Sequence, residues 1–153
     1  MSYILELRAL VGHRPIICAG STVLILDDKN RVLLQHRTDT KNWGTIGGSC
    51  ELGDSLEQTA IREALEEAGV TILELEFLGM LSGEKYFFEY PNGDQIYNVG
   101  AVYVSQNWTG MPKADGFEGS EVRFFALDEI PVVHGSMTHD ALEILKGYLE
   151  QQK

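Results

Sequence analysis

Three glutamates, Glu63, Glu66 and Glu67, are spaced so that their carboxylates can act together. Residues three and four apart share one side of a helix, so this spacing brings the three carboxylates within reach of one point. Like charges about 6 Å apart repel by roughly 3 kcal/mol at an effective dielectric near 20, and Arg62 is the one basic residue in the segment 55–69. Clustered carboxylate oxygens suit a hard divalent cation. An acidic, solvated helix face is the alternative interpretation of the same pattern.

The helix that must carry these glutamates is well marked at both ends. Ser55, followed three residues later by Gln58, forms a capping box, and Asp54 adds negative charge near the positive end of the helix dipole. Gly69 stands where many helices end in a left-handed residue. The pattern therefore predicts a helix over 55–68. Its small and aliphatic residues share one arc and are predicted to pack against a sheet: Ala60, Ile61, Ala64, Leu65 and Ala68.

A glycine-rich segment precedes this helix and is predicted to be a loop over 41–49. Gly47 and Gly48 let the backbone approach a ligand closely or adopt a positive φ without a Cβ clash. Two acids, Glu51 and Asp54, lie between this segment and the helix. The spacing predicts that the segment folds back over the face that carries the carboxylates.

The residues from Gly48 to Val70 resemble the Nudix box of the Nudix (MutT-type) hydrolases. The positions in register with that box are Gly48, Arg62, Glu63, Glu66, Glu67, Gly69 and Val70. Two positions depart from the family's pattern, since Asp54 stands where the family usually has Glu and Ile46 stands where a proline commonly precedes the two glycines.

The resemblance implies a pyrophosphohydrolase that depends on Mg²⁺ or Mn²⁺. Its substrate would be a small nucleoside diphosphate derivative, such as a nucleoside triphosphate, a nucleotide sugar or a dinucleoside polyphosphate. The resemblance also implies that Glu63 and Glu67 are the leading metal ligands, and that Glu66 is a ligand directly or through water. Arg62 would pair with a carboxylate of the box and fix its rotamer.

Other candidate site residues lie at the edge of the box or outside it. The resemblance implies that a backbone carbonyl near Gly47 or Gly48 completes the metal coordination close to the substrate. Arg37 is a candidate contact for phosphate, with a surface ion pair as the alternative. The resemblance implies that the general base is a glutamate of the box or an acid of a later loop, which leaves three candidates here: Glu63, and Glu118 or Glu121 of the segment 115–121.

Two further functions stay open from the sequence. The departures at Asp54 and Ile46 are compatible with a domain that senses nucleotides without hydrolysing them. An activity like that of isopentenyl-diphosphate isomerase would need a reactive cysteine, and Cys50 has no activating neighbour in the sequence.

Composition and charge limit the partners. The chain has 153 residues, with 12 Lys and Arg against 23 Asp and Glu, and a formal net charge of −11. This balance argues against binding to a nucleic-acid polymer, and it means that a phosphate ligand has to be met through a cation. The most apolar run, 16–26, is too short to span a bilayer. With no signal peptide and no metal spacing around Cys18 and Cys50, we expect a cytoplasmic protein without membrane contact; a homodimer stays open.

The order of apolar segments predicts an α/β fold in a single domain over residues 1–153. Together with the resemblance, it indicates a Nudix-like α/β/α sandwich, in which a mixed β-sheet lies between helices. A hairpin is predicted at 91–94, where Pro-Asn-Gly-Asp supplies turn residues. Periodicity predicts helices at 4–11, 55–68 and 138–151, and strands at 16–26, 31–36, 73–81, 84–90, 95–105 and 122–125.

Overall fold

The computed structural model describes residues 2–153, and Met1 lies outside the described residues. The helices are α1 (Tyr3–Val11), α2 (Leu56–Ala68) and α3 (Gly135–Gln151). The strands are β1 (Ile16–Ile25), β2 (Val32–Arg37), β3 (Trp43–Ser49), β4 (Thr71–Ile72), β5 (Glu76–Leu81), β6 (Phe87–Glu89), β7 (Gln95–Ser105), β8 (Trp108–Thr109) and β9 (Gly119–Phe125). Across residues 2–153, every helix is too short or too polar to cross a membrane.

The main sheet has the strand order β5-β7-β1-β3-β2-β9, and β6 also pairs with β7. β1 and β7 run parallel, whereas the other neighbours in this sheet are antiparallel, so the sheet is mixed. Alternate residues of β1 point to opposite faces: Val23 and Ile25 pack with the alanines of α2, and Leu24 packs with Leu142 and Leu145 of α3. The predicted α/β/α sandwich with a mixed sheet between helices is confirmed.

Helix α2 begins and ends where the sequence indicates. Ser55 Oγ accepts a hydrogen bond from the Gln58 N–H at 3.0 Å, and Gln58 Oε1 accepts one from the Ser55 N–H at 2.7 Å. Gly69 ends the helix in the left-handed region, with φ 70°. The capping box and the glycine cap, both predicted from the sequence, are confirmed.

The buried face of α2 differs from the predicted arc. Ala60, Ala64 and Ala68 are fully buried, as predicted, but Ile61 and Leu65 are 41% and 57% exposed. The small alanine side chains let the helix lie close to the sheet. In this orientation the arc turned inward also contains Thr59, Glu63 and Glu67, which places carboxylates, not aliphatic side chains, at the edge of the core.

The segment predicted as a loop over 41–49 is strand β3 from Trp43 onward, and this prediction is wrong. Gly47 and Gly48 pair with Thr22 and Ser21 of β1, and both have ordinary φ values. A Cβ on Gly47 would collide with the carbonyl oxygen of Ser21. The glycines are therefore required by close approach of two backbones.

Several other boundaries shift. The strand predicted at 73–81 begins at Glu76, the closing helix begins at Gly135, and the last strand begins at Gly119. The strand predicted at 84–90 is a 3₁₀ turn followed by the short β6, and Asp140 holds that turn by accepting hydrogen bonds from Tyr86 Oη at 2.8 Å and Lys85 Nζ at 2.7 Å. The predicted hairpin is confirmed: it joins β6 to β7, and the Tyr90 N–H bonds the Asp94 carbonyl.

Ala64→Leu is expected to lower the free energy of unfolding by about 1–3 kcal/mol, because the fully buried site has no room for a larger side chain. Leu65→Ala is the control, because it makes the reverse exchange of leucine for alanine at a position that is 57% exposed. This variant is expected to change the free energy of unfolding by less than about 0.5 kcal/mol. Urea unfolding followed by circular dichroism measures both. Equal losses in the two variants would contradict this packing of α2.

Candidate functional site

One pocket of about 470 Å³ opens between α2, β3, the start of α1 and the loop before β9. Eight of the candidate site residues predicted from the sequence line it: Arg37, Gly47, Gly48, Arg62, Glu63, Glu66, Glu67 and Glu118. Glu121 does not line the pocket and pairs with Arg123 on the surface. The fold therefore brings residues from α2, β2, β3 and a distant loop to one place.

Glu67 is the most deeply buried acid of the pocket, with 3% of its surface exposed. Its Oε1 accepts the Gly47 N–H at 2.9 Å, and its Oε2 accepts Gln35 Nε2 at 3.1 Å. Burial, the facing carboxylate of Glu118 and the charge of Glu63 hold the pKa of Glu67 well above its usual range, although the bonds from Gly47 and Gln35 oppose the shift. Within residues 2–153, no basic side chain pairs with Glu67.

Glu63 lies one turn earlier on α2 and is also buried, at 8% exposed. Arg62 Nη1 contacts its Oε1 at 2.8 Å. Burial nevertheless raises the pKa of Glu63 to about 7, with further contributions from the charges of Glu66 and Glu118, because the single arginine does not offset them. A Cβ on Gly48 would lie 2.5 Å from the Glu63 carboxyl carbon, so a larger residue here would force this carboxylate to move.

Arg62 joins the outer carboxylates of the pocket. Besides Glu63, it approaches Asp54 with Nε at 3.4 Å and Glu66 with Nη1 at 3.5 Å, and its Nη2 donates to the Ser49 carbonyl at 3.1 Å. The shorter Asp54 therefore still reaches the arginine. Glu66 has a side chain that is 58% exposed and can turn toward the pocket or toward water.

The donor set of the pocket fits a hard divalent cation. The pocket offers carboxylate oxygens, which are the ligands that Mg²⁺ and Mn²⁺ prefer. In the described part of the chain, no basic side chain neutralises the buried carboxylate of Glu67 beside Glu118. In residues 2–153, no three acidic, histidine or cysteine side chains are grouped closely enough to hold a metal ion. The donor chemistry therefore fits a cation, but the three glutamates do not converge on one point as their spacing predicted. Arg62 draws Glu63 and Glu66 toward itself, whereas Gly47 and Gln35 hold Glu67.

Gln35 is a pocket-supporting residue that the sequence reasoning missed. It is 1% exposed in the middle of β2, its Nε2 donates to Glu67, and its Oε1 has no hydrogen-bond partner in the described residues. A Cβ on Gly119 would lie 2.6 Å from that Oε1. The sequence does contain a signal for this role, because Gln35 directly follows the apolar residues Val32, Leu33 and Leu34 of one strand. A buried amide in such a strand needs a hydrogen-bond partner.

Arg37 and the loop that carries Glu118 form the opposite wall of the pocket. Arg37 makes two hydrogen bonds to Asp39, from Nε at 3.1 Å and from Nη2 at 2.8 Å. The ion pair that was the alternative for Arg37 is therefore present, although the residue also lines the pocket. Asp115 Oδ1 accepts the N–H groups of Phe117 and Glu118 at 2.8 and 3.0 Å, so the loop is ordered.

The two cysteines lie outside the lining of this pocket among the described residues. Burial raises the pKa of Cys18, whose Sγ lies 3.0 Å from Ser49 Oγ. Cys50 Sγ accepts a hydrogen bond from Thr59 Oγ1 at 3.2 Å. An isomerase that uses a reactive thiol finds no support in this arrangement.

Comparison with known proteins identifies a consistent set of relatives. The NUDIX domain family model matches residues 18–148. The oxidized purine nucleoside triphosphate hydrolase of Danio rerio is 30% identical over 115 residues, which are 72% of this chain and 67% of that protein. The NAD-capped RNA hydrolase NudC of Mannheimia succiniciproducens is 34% identical over 121 residues, which are 75% of this chain but only 42% of the relative.

A solved structure agrees with these sequence matches. The crystal structure of a MutT NUDIX hydrolase from Burkholderia pseudomallei superposes with a TM-score of 0.72 at 26% identity, and the match covers 84% of this chain and 97% of that one. Helix α1 (Tyr3–Val11) lies outside the residues that the family model matches.

Glu67→Gln is expected to stabilise the metal-free protein at pH 8. The pKa of Glu63, about 7, and the raised pKa of Glu67 mean that the folded chain binds protons that the unfolded chain releases. The stability from these groups is fully present below about pH 4.5 and is lost as the pH rises through 7. A neutral amide removes one buried charge, and Gln35 can rotate its unpartnered Oε1 to accept from the new amide.

Thermal unfolding in a chelator at pH 5 and pH 8 measures this effect. The variant should unfold at a higher temperature than the wild type at pH 8, and the difference should shrink at pH 5. Glu66→Gln, at a largely exposed carboxylate, is the control and should change little. A Glu67→Gln protein that is less stable than the wild type at pH 8 would contradict the assigned electrostatics.

Proposed function

We propose, since the chain belongs to the NUDIX domain family of hydrolases, that it hydrolyses the diphosphate linkage of a small nucleoside diphosphate derivative with the help of Mg²⁺ or Mn²⁺. The observation that carries the proposal is Glu67, a carboxylate that is 3% exposed beside Glu118 and lacks a basic partner in residues 2–153. Burying such a charge is costly unless a cation joins it.

In this proposal Glu63, Glu66 and Glu67 hold the divalent cation, and a backbone carbonyl near Gly47 or Gly48 adds a further oxygen. A bound cation would neutralise negative charge on the diphosphate and lower the pKa of a water molecule bound to it. The Gly47 N–H and Gln35 hold both oxygens of Glu67 in place before the ligand arrives. Because these bonds already fix the Glu67 carboxylate, less free energy is needed to bring it close to the other carboxylates during the reaction.

Glu118 is our candidate for the general base. Arg62 already holds Glu63 at 2.8 Å, whereas no basic side chain of the described chain pairs with Glu118. Its carboxylate faces Glu67, and the loop that carries it is ordered by Asp115. In this role Glu118 would accept a proton from the attacking water as the water oxygen bonds to one phosphorus, while the bridging P–O bond of the diphosphate breaks and its electron pair leaves with the departing phosphate.

The two arginines of the pocket have different roles in this proposal. Arg62 is a positioning residue, because its four contacts are with Asp54, Glu63, Glu66 and the Ser49 carbonyl. Arg37 lies at the pocket wall with its charge partly offset by Asp39, and it would contact a phosphate remote from the reacting bond. The substrate would therefore be held by cations at both ends of its phosphate chain.

The proposed substrate class rests on what the relatives share. The name of the Danio rerio protein states a nucleoside triphosphate, and that of the Mannheimia protein states NAD-capped RNA. Both contain a nucleoside joined to a diphosphate. The net charge of −11 favours a small nucleotide over a polymer. A single domain over 1–153 and a cytoplasmic location stay predictions, and the oligomeric state stays open.

Glu67→Gln is expected to lower turnover at least about 100-fold, because it removes a charge that stabilises the reacting site. Phosphate or nucleoside monophosphate release from dGTP, ADP-ribose and diadenosine tetraphosphate, with and without Mg²⁺, measures the loss. Glu74→Gln, at an exposed acid outside the pocket, is the control and should keep wild-type turnover. Near-normal turnover by the Glu67 variant would refute the assignment.

Mg²⁺ is expected to raise the unfolding temperature of the wild type more than that of Glu67→Gln. The ion neutralises the buried carboxylate of the wild type, whereas the variant has an uncharged amide at this position. A titration of MgCl₂ followed by thermal unfolding measures this without any substrate. Equal shifts in both proteins would place the cation elsewhere.

A further inference from the structure

One exposed aromatic ring stands at the rim of the carboxylate pocket. Phe117 is 84% exposed, and among the large apolar side chains exposed in residues 2–153 it is the one that lines this pocket. A single exposed apolar side chain needs no explanation by itself. Phe117 differs from the others because its neighbour in the chain, Glu118, faces Glu67 inside the pocket.

Hydrogen bonds hold the backbone of the loop that presents Phe117. Asp115 Oδ1 accepts the N–H groups of Phe117, Glu118 and Gly119 at 2.8, 3.0 and 3.2 Å. Thr38 Oγ1 donates to the Phe117 carbonyl at 2.6 Å from the neighbouring wall. The backbone on both sides of the ring is therefore fixed. A ring held in this way loses little conformational freedom when a ligand covers it.

The rest of the lining offers no equivalent surface for a flat aromatic group. Apart from Phe117, the apolar or aromatic members of the lining are Ile4 and Tyr90. Ile4 is a half-buried aliphatic residue of α1. Tyr90 is half-buried, and its ring makes a T-shaped contact with Phe88, with the ring centres 4.9 Å apart at an interplanar angle of 88°. Phe117, at 84% exposed, is thus the aromatic side chain of the lining with the most surface available to a ligand.

We propose that Phe117 is a specificity-determining residue against which the base of a nucleotide substrate stacks. This inference rests on the proposed function, since it assumes that the diphosphate of the same molecule lies at Glu63 and Glu67. Stacking of a base on an aromatic side chain tolerates any base because every base has a π face. The site therefore selects diphosphates that carry an aromatic base over diphosphates that lack one.

Kinetics of Phe117→Ala test the inference. For the best substrate among dGTP, ADP-ribose and diadenosine tetraphosphate, KM should rise about tenfold while kcat stays within about twofold, because stacking acts on binding and not on the reacting bond. Phe117→Trp should restore the wild-type KM. Met111→Ala, at a residue that is 85% exposed outside the pocket lining, is the matched control and should leave KM unchanged. An unchanged KM in Phe117→Ala overturns the inference.

Fluorescence of Phe117→Trp provides a test that does not require turnover. The emission of the introduced tryptophan is the fluorescence of the variant minus that of the wild type. In the presence of Mg²⁺, at least one of the three nucleotides should quench this emission, and inorganic tripolyphosphate should not. Quenching by tripolyphosphate to the same extent, or by none of the nucleotides, overturns the inference. If a nucleotide quenches the variant but the wild type hydrolyses none of the three nucleotides, the stacking site is supported and the proposed function is rejected.

Discussion

The structure depends on the burial of two carboxylates, Glu63 and Glu67, between helix α2 and strand β3. Burial disfavours the charged form, and the pKa of each group is raised for that reason. The protein compensates with one arginine on Glu63 and with a backbone N–H and an amide on Glu67. This partial compensation holds both side chains in place and leaves Glu67 without a basic partner in the described residues.

The alanine face of α2 makes this burial geometrically possible. Ala60, Ala64 and Ala68 bring the helix axis close to the sheet, and the carboxylates one position away then reach β3. Glycines supply the remaining space. Gly48 lies against the Glu63 carboxylate, and Gly119 lies against the Gln35 amide that supports Glu67. Small residues at these positions thus determine the position of the charged ones.

The rim of the pocket comes from parts of the chain that are remote from α2. Ser2 and Ile4 belong to a segment that precedes the residues matched by the family model, and Phe117 belongs to an ordered loop before β9. In the proposed function the carboxylates act on a diphosphate, which many nucleotides share. Selection of diphosphates that carry a base is therefore expected at the rim, where this chain presents an aromatic ring.

The sequence by itself determined what depends on local signals. The limits of α2 follow from Ser55, Gln58 and Gly69, which act within one turn, and the spacing of the three glutamates follows from the helix period. The hairpin at 91–94 follows from its own turn residues. The resemblance to the Nudix box adds the chemistry, because its residues lie within this single segment.

Only the tertiary structure decided which side of α2 faces the sheet, because Ile61, Leu65 and the carboxylates all border the alanine face on a helical projection, and only contact with β1 and β3 distinguishes them. It also decided that 43–49 is a strand, because its glycines serve the neighbouring backbone and leave no alternating pattern. The pairing of Gln35 with Glu67 joins residues 32 positions apart. Such a contact arises when strands and helix pack, and no local propensity encodes it.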